Sequence, residues 1–157
     1  MGEVLRMRTT GERSAEQTVR DLFEAAEASD VAKLRGCWAP DAVWNNMPAG
    51  IVRGGDAISD AWAQMLRYTG FRADLLEVAV RDDVVLTERL DHILIGDLDI
   101  PIEVSGTFVV QDGQIVENRE YWDWFGVLRE CVPVMPRALF TLLLGRGKGA
   151  DSVTIGA

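Results

Sequence analysis

Among the ionisable side chains of the strand-like runs, three stand out by the faces that they take: Arg89 and Asp91 in the run Val84–Ile95, which is apolar at its ends and polar in its middle, and Asp123 near the end of the run Gln114–Trp124. Side chains on a strand alternate between its two faces. Counting by parity therefore puts Arg89 and Asp91 on one face, and puts Asp123 with Ile115, Arg119 and Tyr121 on one face of the later run, with Trp122 and Trp124 opposite. If those faces meet in a hollow, two carboxyl groups and one guanidinium are held out of bulk water. Removing an ion from water costs several kcal/mol, so such groups persist as hydrogen-bonded networks or as functional sites. A structural ion pair between Arg89 and a carboxylate is the plain reading, and acid–base chemistry by paired carboxyls is the sharper one.

The scarce residue types favour carboxyl chemistry. His92 is the single histidine, and it has the opposite parity to Asp91. A histidine satisfied in the core or at an interface is the simpler account of it. Cys37 and Cys131 are far apart and form no C-x-x-C pair, so a zinc site of several His and Cys ligands is not available and no metal is expected. No G-x-S-x-G occurs, and Gly145-Arg146-Gly147-Lys148-Gly149 lacks the Ser or Thr and the helix of a phosphate loop. Sixteen Lys and Arg stand against 25 Asp and Glu, a net charge of −9, which disfavours nucleic acid and anionic lipid as partners. The longest apolar segment, Val132–Leu144, contains Pro133, Pro136 and Arg137 and is too short to span a bilayer. Met1 to Arg13 carries no signal-peptide pattern, so the expected location is cytoplasmic.

The elements that must position these residues can be read from periodicity. The chain has 157 residues, 48% of them hydrophobic, which suits one domain with one core over 1–157, its ends at 1–13 and 146–157 flexible. Ser14 with Gln17 forms a capping-box pattern, and Val19, Leu22, Phe23 and Ala26 continue at helical spacing, predicting a helix from about Ala15 to Ala28. A second short helix follows Asp30 and carries Val31, Leu34 and Trp38; a third opens at Asp56 with Ile58, Ala61, Trp62 and Met65. A short strand at Ala42–Asn46 lies between these two helices. Beyond Gly70 the period is that of strands, at Arg72–Arg81, Val84–Ile95, Ile100–Val110 and Gln114–Trp124, broken at Asp82-Asp83, Gly96-Asp97 and Asp112-Gly113. Helices followed by strands predict an α+β layer with helices packed on one face of a curved, largely antiparallel sheet. The stripe from Leu139 to Leu144 is expected to close the open end of that curved sheet.

Three segments resemble, in order and spacing, the motif strands of the limonene-1,2-epoxide hydrolases: Trp44-Asn45-Asn46-Met47-Pro48, Leu86-Thr87-Glu88-Arg89-Leu90-Asp91 and Arg119-Glu120-Tyr121-Trp122-Asp123. The resemblance extends over most of the chain from the first helix to Trp124. It implies the cone-shaped fold shared with ketosteroid isomerases and small polyketide cyclases, and one-step hydrolysis of an epoxide without cofactor or metal. By similarity, Asp123 would take a proton from water, Asn46 would help to hold that water, Asp91 would protonate the departing oxygen and Arg89 would bridge the two carboxyls. Trp44 stands where the family usually places a tyrosine that shares the holding of the water. An indole donates one hydrogen bond and accepts none.

The expected substrate is a small lipophilic epoxide opened by water to a vicinal diol. Met47, Trp62, Met65, Val85, Tyr121, Leu128 and Phe140 are the expected pocket walls, and a homodimer is the expected assembly. An isomerase or an epoxide-opening cyclase is the alternative, because Trp44 suits a drier pocket. A non-catalytic binding or dimerisation module is the third reading; it predicts that both aspartates are dispensable.

Overall fold

The computed structural model describes residues 14–126. Ser14 caps the first helix, α1 (Ala15–Glu27), its hydroxyl accepting from the Gln17 backbone N–H at 3.1 Å. The reciprocal half of the capping box is not made, because the Gln17 amide donates instead to Asp21 at 2.9 Å. Asp30 caps α2 (Val31–Cys37), and Trp38 already belongs to the first strand. The third helix, α3 (Gly55–Leu66), starts one residue before Asp56. Asp56 is not its cap: it pairs with Arg35, which also binds Asp60 at 2.7 Å and so ties α2 to α3.

The six strands are β1 (Trp38–Met47), β2 (Gly50–Arg53), β3 (Gly70–Arg81), β4 (Val84–Ile95), β5 (Leu98–Gln111) and β6 (Gln114–Trp122). The short β2, which pairs with β1 from Asn46↔Gly50 to Val43↔Arg53, is absent from the periodicity reading. The sheet order is β2-β1-β6-β5-β4-β3. Every pairing is antiparallel except β1 with β6, which is parallel and brings the first strand beside the last. The turn at Asp112-Gly113 has positive φ at both residues, 49° and 75°, the geometry that matches the twist of two antiparallel strands. The predicted closing stripe from Leu139 to Leu144 lies outside the described residues.

The helices bury their apolar faces on one side of this sheet. Val19, Leu22 and Phe23 of α1, Leu34 of α2 and Ile58 and Trp62 of α3 meet Val85, Phe108, Val110 and Ile115 from the strands. Phe108 has no exposed surface and meets Phe23 edge to face, with ring centroids 5.9 Å apart. Among the described residues no helix is long and apolar enough to cross a membrane.

One irregularity decides which side chains of β6 face the helices. Opposite it, β5 advances one residue from Val109 to Val110 while β6 goes from Glu117 to Ile115, leaving Val116 as the extra residue of a bulge. A bulge of one residue reverses parity for the rest of the strand. Ile115 is buried before it, and Asn118 and Glu120 are buried after it, whereas Arg119 and Tyr121 are exposed.

Phe108 is the central aromatic of this layer, and truncating it leaves a void that the surrounding strands cannot close. Phe108→Ala is expected to cost about 3–5 kcal/mol of stability, read as a lowered denaturant midpoint with an unchanged slope.

Candidate active site

The site forms where β1, β4 and β6 present polar side chains to the helix layer. Arg89 of β4 is its centre. Its side chain is 1% exposed, and it reaches Asp91 Oδ1 from Nε at 2.8 Å and Glu120 Oε1 from Nη2. Its Nη1 donates to Thr87 Oγ1 at 3.2 Å. The guanidinium carbon lies 4.7 Å from the ring centroid of Phe23 and 5.9 Å from that of Phe108, so two aromatic faces pack against a cation shielded from water. Each guanidinium nitrogen therefore has an acceptor, which a buried charge requires.

Opposed effects set the protonation of this group. Burial works to lower the Arg89 pKa, but the charges of Glu120 and Asp91 outweigh it and hold the guanidinium above its ordinary value. Burial raises Asp91 to about 6, despite the opposing pull of the Arg89 guanidinium. Asp91 can therefore carry a proton near neutral pH. Oδ1 is committed to Arg89, and Oδ2 has no hydrogen-bond partner among the described residues.

Two tryptophans join the first and last strands across this site. Trp44 Nε1 of β1 donates to Glu120 Oε2 of β6 at 2.7 Å, and Trp122 Nε1 of β6 donates to Asn46 Oδ1 of β1 at 2.7 Å. Because Asn46 lies opposite Glu120 in the parallel register, each bond runs diagonally from one strand to the other. The Trp122 bond fixes the orientation of the Asn46 amide, leaving its NH2 without a partner among the described residues. Trp44 stacks on Trp62 of α3, with ring centroids 5.8 Å apart, and Trp62 meets Phe71 edge to face at 5.2 Å.

These side chains line a cavity of about 240 Å³. Its polar members are Asn46, Arg89, Asp91 and Glu120, and its walls include Trp44, Trp62, Met65, Phe71, Ile93, Ile102, Val104 and Trp122. A small apolar hollow with a few convergent polar groups is the usual form of a small-molecule site.

Several expectations are corrected. Arg89 does not bridge Asp91 to Asp123; it bridges Asp91 to Glu120. Asp123 is exposed, its carboxylate accepts from the Gly126 N–H at 2.9 Å, and it lines a second concavity with Glu88, Glu103, Ser105 and Tyr121, which shares Arg89, Val104 and Trp122 with the first but neither Asp91 nor Glu120. The Val116 bulge is the cause, since parity counted from Ile115 gives the wrong face beyond it. The same reversal makes Tyr121 56% exposed and brings Trp122 to the cavity. Met47 pairs with Tyr121 and is 44% exposed on that outer side, so it is not a wall. Val85 is fully buried in the core rather than lining the cavity. The one N–H of Trp44 is bound to Glu120, which leaves it none for a water molecule. Trp62 and Met65 line the cavity. Leu128 and Phe140 lie outside the described residues. His92 binds Asp99 Oδ1 at 2.6 Å and Asp74 Oδ2 at 3.2 Å, on the face of β4 opposite Arg89 and Asp91.

Parity missed Glu120, and the adjacent β-branched pair Ile115-Val116, where strict alternation lapses, is the local sign of the bulge. Gly106 was also missed, although an isolated glycine in a strand marks a close approach. A Cβ there would sit 2.7 Å from Arg89 Nη1 and 2.9 Å from Thr87 Oγ1.

Residues 13–132 match the model of the limonene-1,2-epoxide hydrolase catalytic domain. The chain belongs to that family. It is 29% identical over 125 residues to epoxide hydrolase EphG of Mycobacterium tuberculosis, covering 77% of this chain and 84% of that protein. The solved structure of an M. tuberculosis LEH-like epoxide hydrolase superposes with a TM-score of 0.70 at 27% identity, covering 83% of this chain and 96% of that one. IdmH of Streptomyces antibioticus, a proposed polyketide cyclase, superposes with a TM-score of 0.67 at 20% identity over 75% of this chain and 98% of its own, a likeness of fold alone. The limonene-1,2-epoxide hydrolase family thus shares its cone with proteins of other described activities.

Because Gly106 leaves room for the guanidinium, Gly106→Ala is expected to displace Arg89 and to destabilise the protein by about 1–3 kcal/mol. Denaturation read alongside the near-ultraviolet signal of the tryptophans checks both effects; an unchanged midpoint would contradict this placement of Arg89.

Proposed function

We propose that this protein opens a small lipophilic epoxide to a vicinal diol in one general acid–base step, with Asp91 as the acid and Glu120 as the base. The observation that carries the reading is the shared guanidinium: Arg89 joins the two carboxyl groups in a hollow shielded from solvent. Asp91, raised to about 6, supplies a proton to the epoxide oxygen as its carbon–oxygen bond breaks. Glu120 takes a proton from the water whose oxygen forms the new bond to carbon, and the free NH2 of Asn46 donates to that water. Water is consumed, each carboxyl changes its proton state once, and return of the proton from Glu120 to Asp91 restores the start. Arg89 compensates the negative charge, which passes from Glu120 to Asp91 during the reaction. The aromatic and aliphatic walls supply apolar burial for the rest of the substrate.

Trp44 favours a second reading. With its N–H bound to Glu120, the Asn46 amide is the remaining uncommitted donor for water, which suits a reaction in which a hydroxyl of the substrate itself attacks the epoxide. Hydrolysis in heavy-oxygen water places label in the diol, whereas internal attack places none.

The purified protein is expected to turn over members of an epoxide panel, and Asp91→Asn or Glu120→Gln should reduce turnover by about a hundredfold or more with the fold retained by circular dichroism. Asp123→Asn should change it by less than about threefold, since that side chain lies outside the cavity. The acid must hold its proton, so kcat/KM should decline as pH rises through about 6. Full activity in Glu120→Gln, or its loss in Asp123→Asn alone, would return the base to Asp123.

A further inference from the structure

The Trp44 indole occupies an unusual place in this site. It touches neither Arg89 nor Asp91 by a hydrogen bond; its single donor goes to Glu120 Oε2 at 2.7 Å, the oxygen that Arg89 does not bind. Each carboxylate oxygen offers two in-plane lone pairs. With Oε1 bound to Arg89 and Oε2 to Trp44, the plane of the carboxylate is fixed at both ends. The indole is itself held from behind, since Trp62 stacks on it at an interplanar angle of 16° and Phe71 backs Trp62. A rigid aromatic column from α3 and β3 therefore ends on one oxygen of the carboxylate.

We infer that Trp44 is a positioning residue for the base: it fixes the Glu120 carboxylate through its indole N–H, rather than holding water. This inference rests on the reading of Glu120 as the base. The bond takes up one lone pair of Oε2 and leaves the other for a proton. It also confines the group to one rotamer, so the free lone pair of Oε2 stays directed at one place in the cavity. The reciprocal bond from Trp122 does the same for Asn46, with its amide NH2 left for water. One indole thus orients the proton acceptor and the other orients the donor that meets the same water.

The test removes the N–H and keeps the ring. Trp44 is replaced by 3-benzothienylalanine, in which sulfur takes the place of the indole N–H, and separately by phenylalanine in Trp44→Phe. Loss of the donor is expected to release the Glu120 carboxylate from its single orientation. It should also lower kcat by about tenfold, with KM held within about twofold and the thermal midpoint of the sulfur isostere unchanged. In the unaltered protein, the Trp44 Nε1 proton should resonate downfield and lose that shift in Glu120→Gln. An unchanged kcat in the isostere, or an indole resonance indifferent to Glu120→Gln, would overturn the inference. If Glu120→Gln retains full turnover, the base assignment fails and the positioning role falls with it. If Glu120→Gln is inactive while the isostere keeps the wild-type kcat, the base assignment stands and only the role of Trp44 is rejected.

Discussion

The buried guanidinium of Arg89 is the constraint around which the rest is arranged. A cation with its side chain 1% exposed survives only if acceptors replace the lost water, and Asp91, Glu120 and Thr87 do so from two strands. Two aromatic faces close over it from α1 and β5. Gly106 leaves the space that its Nη1 occupies. Removing any of these would leave a charge in apolar surroundings, so the electrostatic demand and the packing of the core are one requirement. The same demand gives Asp91 its raised proton affinity, because burial outweighs the neighbouring positive charge.

The second organising feature is the division of labour among the aromatic residues. In most cores a tryptophan contributes area. Here Trp44 and Trp122 contribute both area and a directed N–H, and each N–H ends on a polar side chain of the other strand. The cavity can therefore be lined largely by apolar surface while its few polar groups remain fixed in orientation. Such an arrangement suits a substrate that is lipophilic everywhere except at one reactive oxygen.

Much of this was legible in the sequence, and the failures have physical causes. Period alone located α1, α3 and the four long strands, because each buries one face and must place apolar residues at the matching spacing. Arg89 and Asp91 were legible for the same reason: β4 runs without a bulge opposite β5, so parity holds along its whole length. On β6 the single extra residue at Val116 exchanges the faces, so parity points to Asp123 where Glu120 is buried. Nothing in a count of odd and even positions can register an insertion of one residue. The short β2 escaped because four residues carry too little alternation to be distinguished from a loop. The hydrogen bond from Trp44 to Glu120 was beyond reach, because it depends on a parallel pairing between strands about seventy residues apart, and periodicity carries no information about partners.

That parallel pairing also has a consequence for the order of events during synthesis. β1 carries Trp44 and Asn46, β4 carries Arg89 and Asp91, and β6 carries Glu120 and Trp122, so the site is distributed over nearly the full described length. The strands β3, β4 and β5 can pair as successive hairpins while the chain is still growing, since each neighbour follows directly in sequence. β1 must wait. Its place in the sheet beside β5 is taken by β6, and it can dock in parallel only after that last strand has emerged and paired. Contacts of such long sequence separation form late, because the closure of a large loop precedes any return from the contact. Arg89 lacks Glu120 until β6 has paired with β5, and Glu120 lacks Trp44 until β1 has docked. The network therefore closes in two stages: the Asp91–Arg89–Glu120 link with the pairing of the last strand, and the indole and amide bonds between β1 and β6 only with the docking of the first.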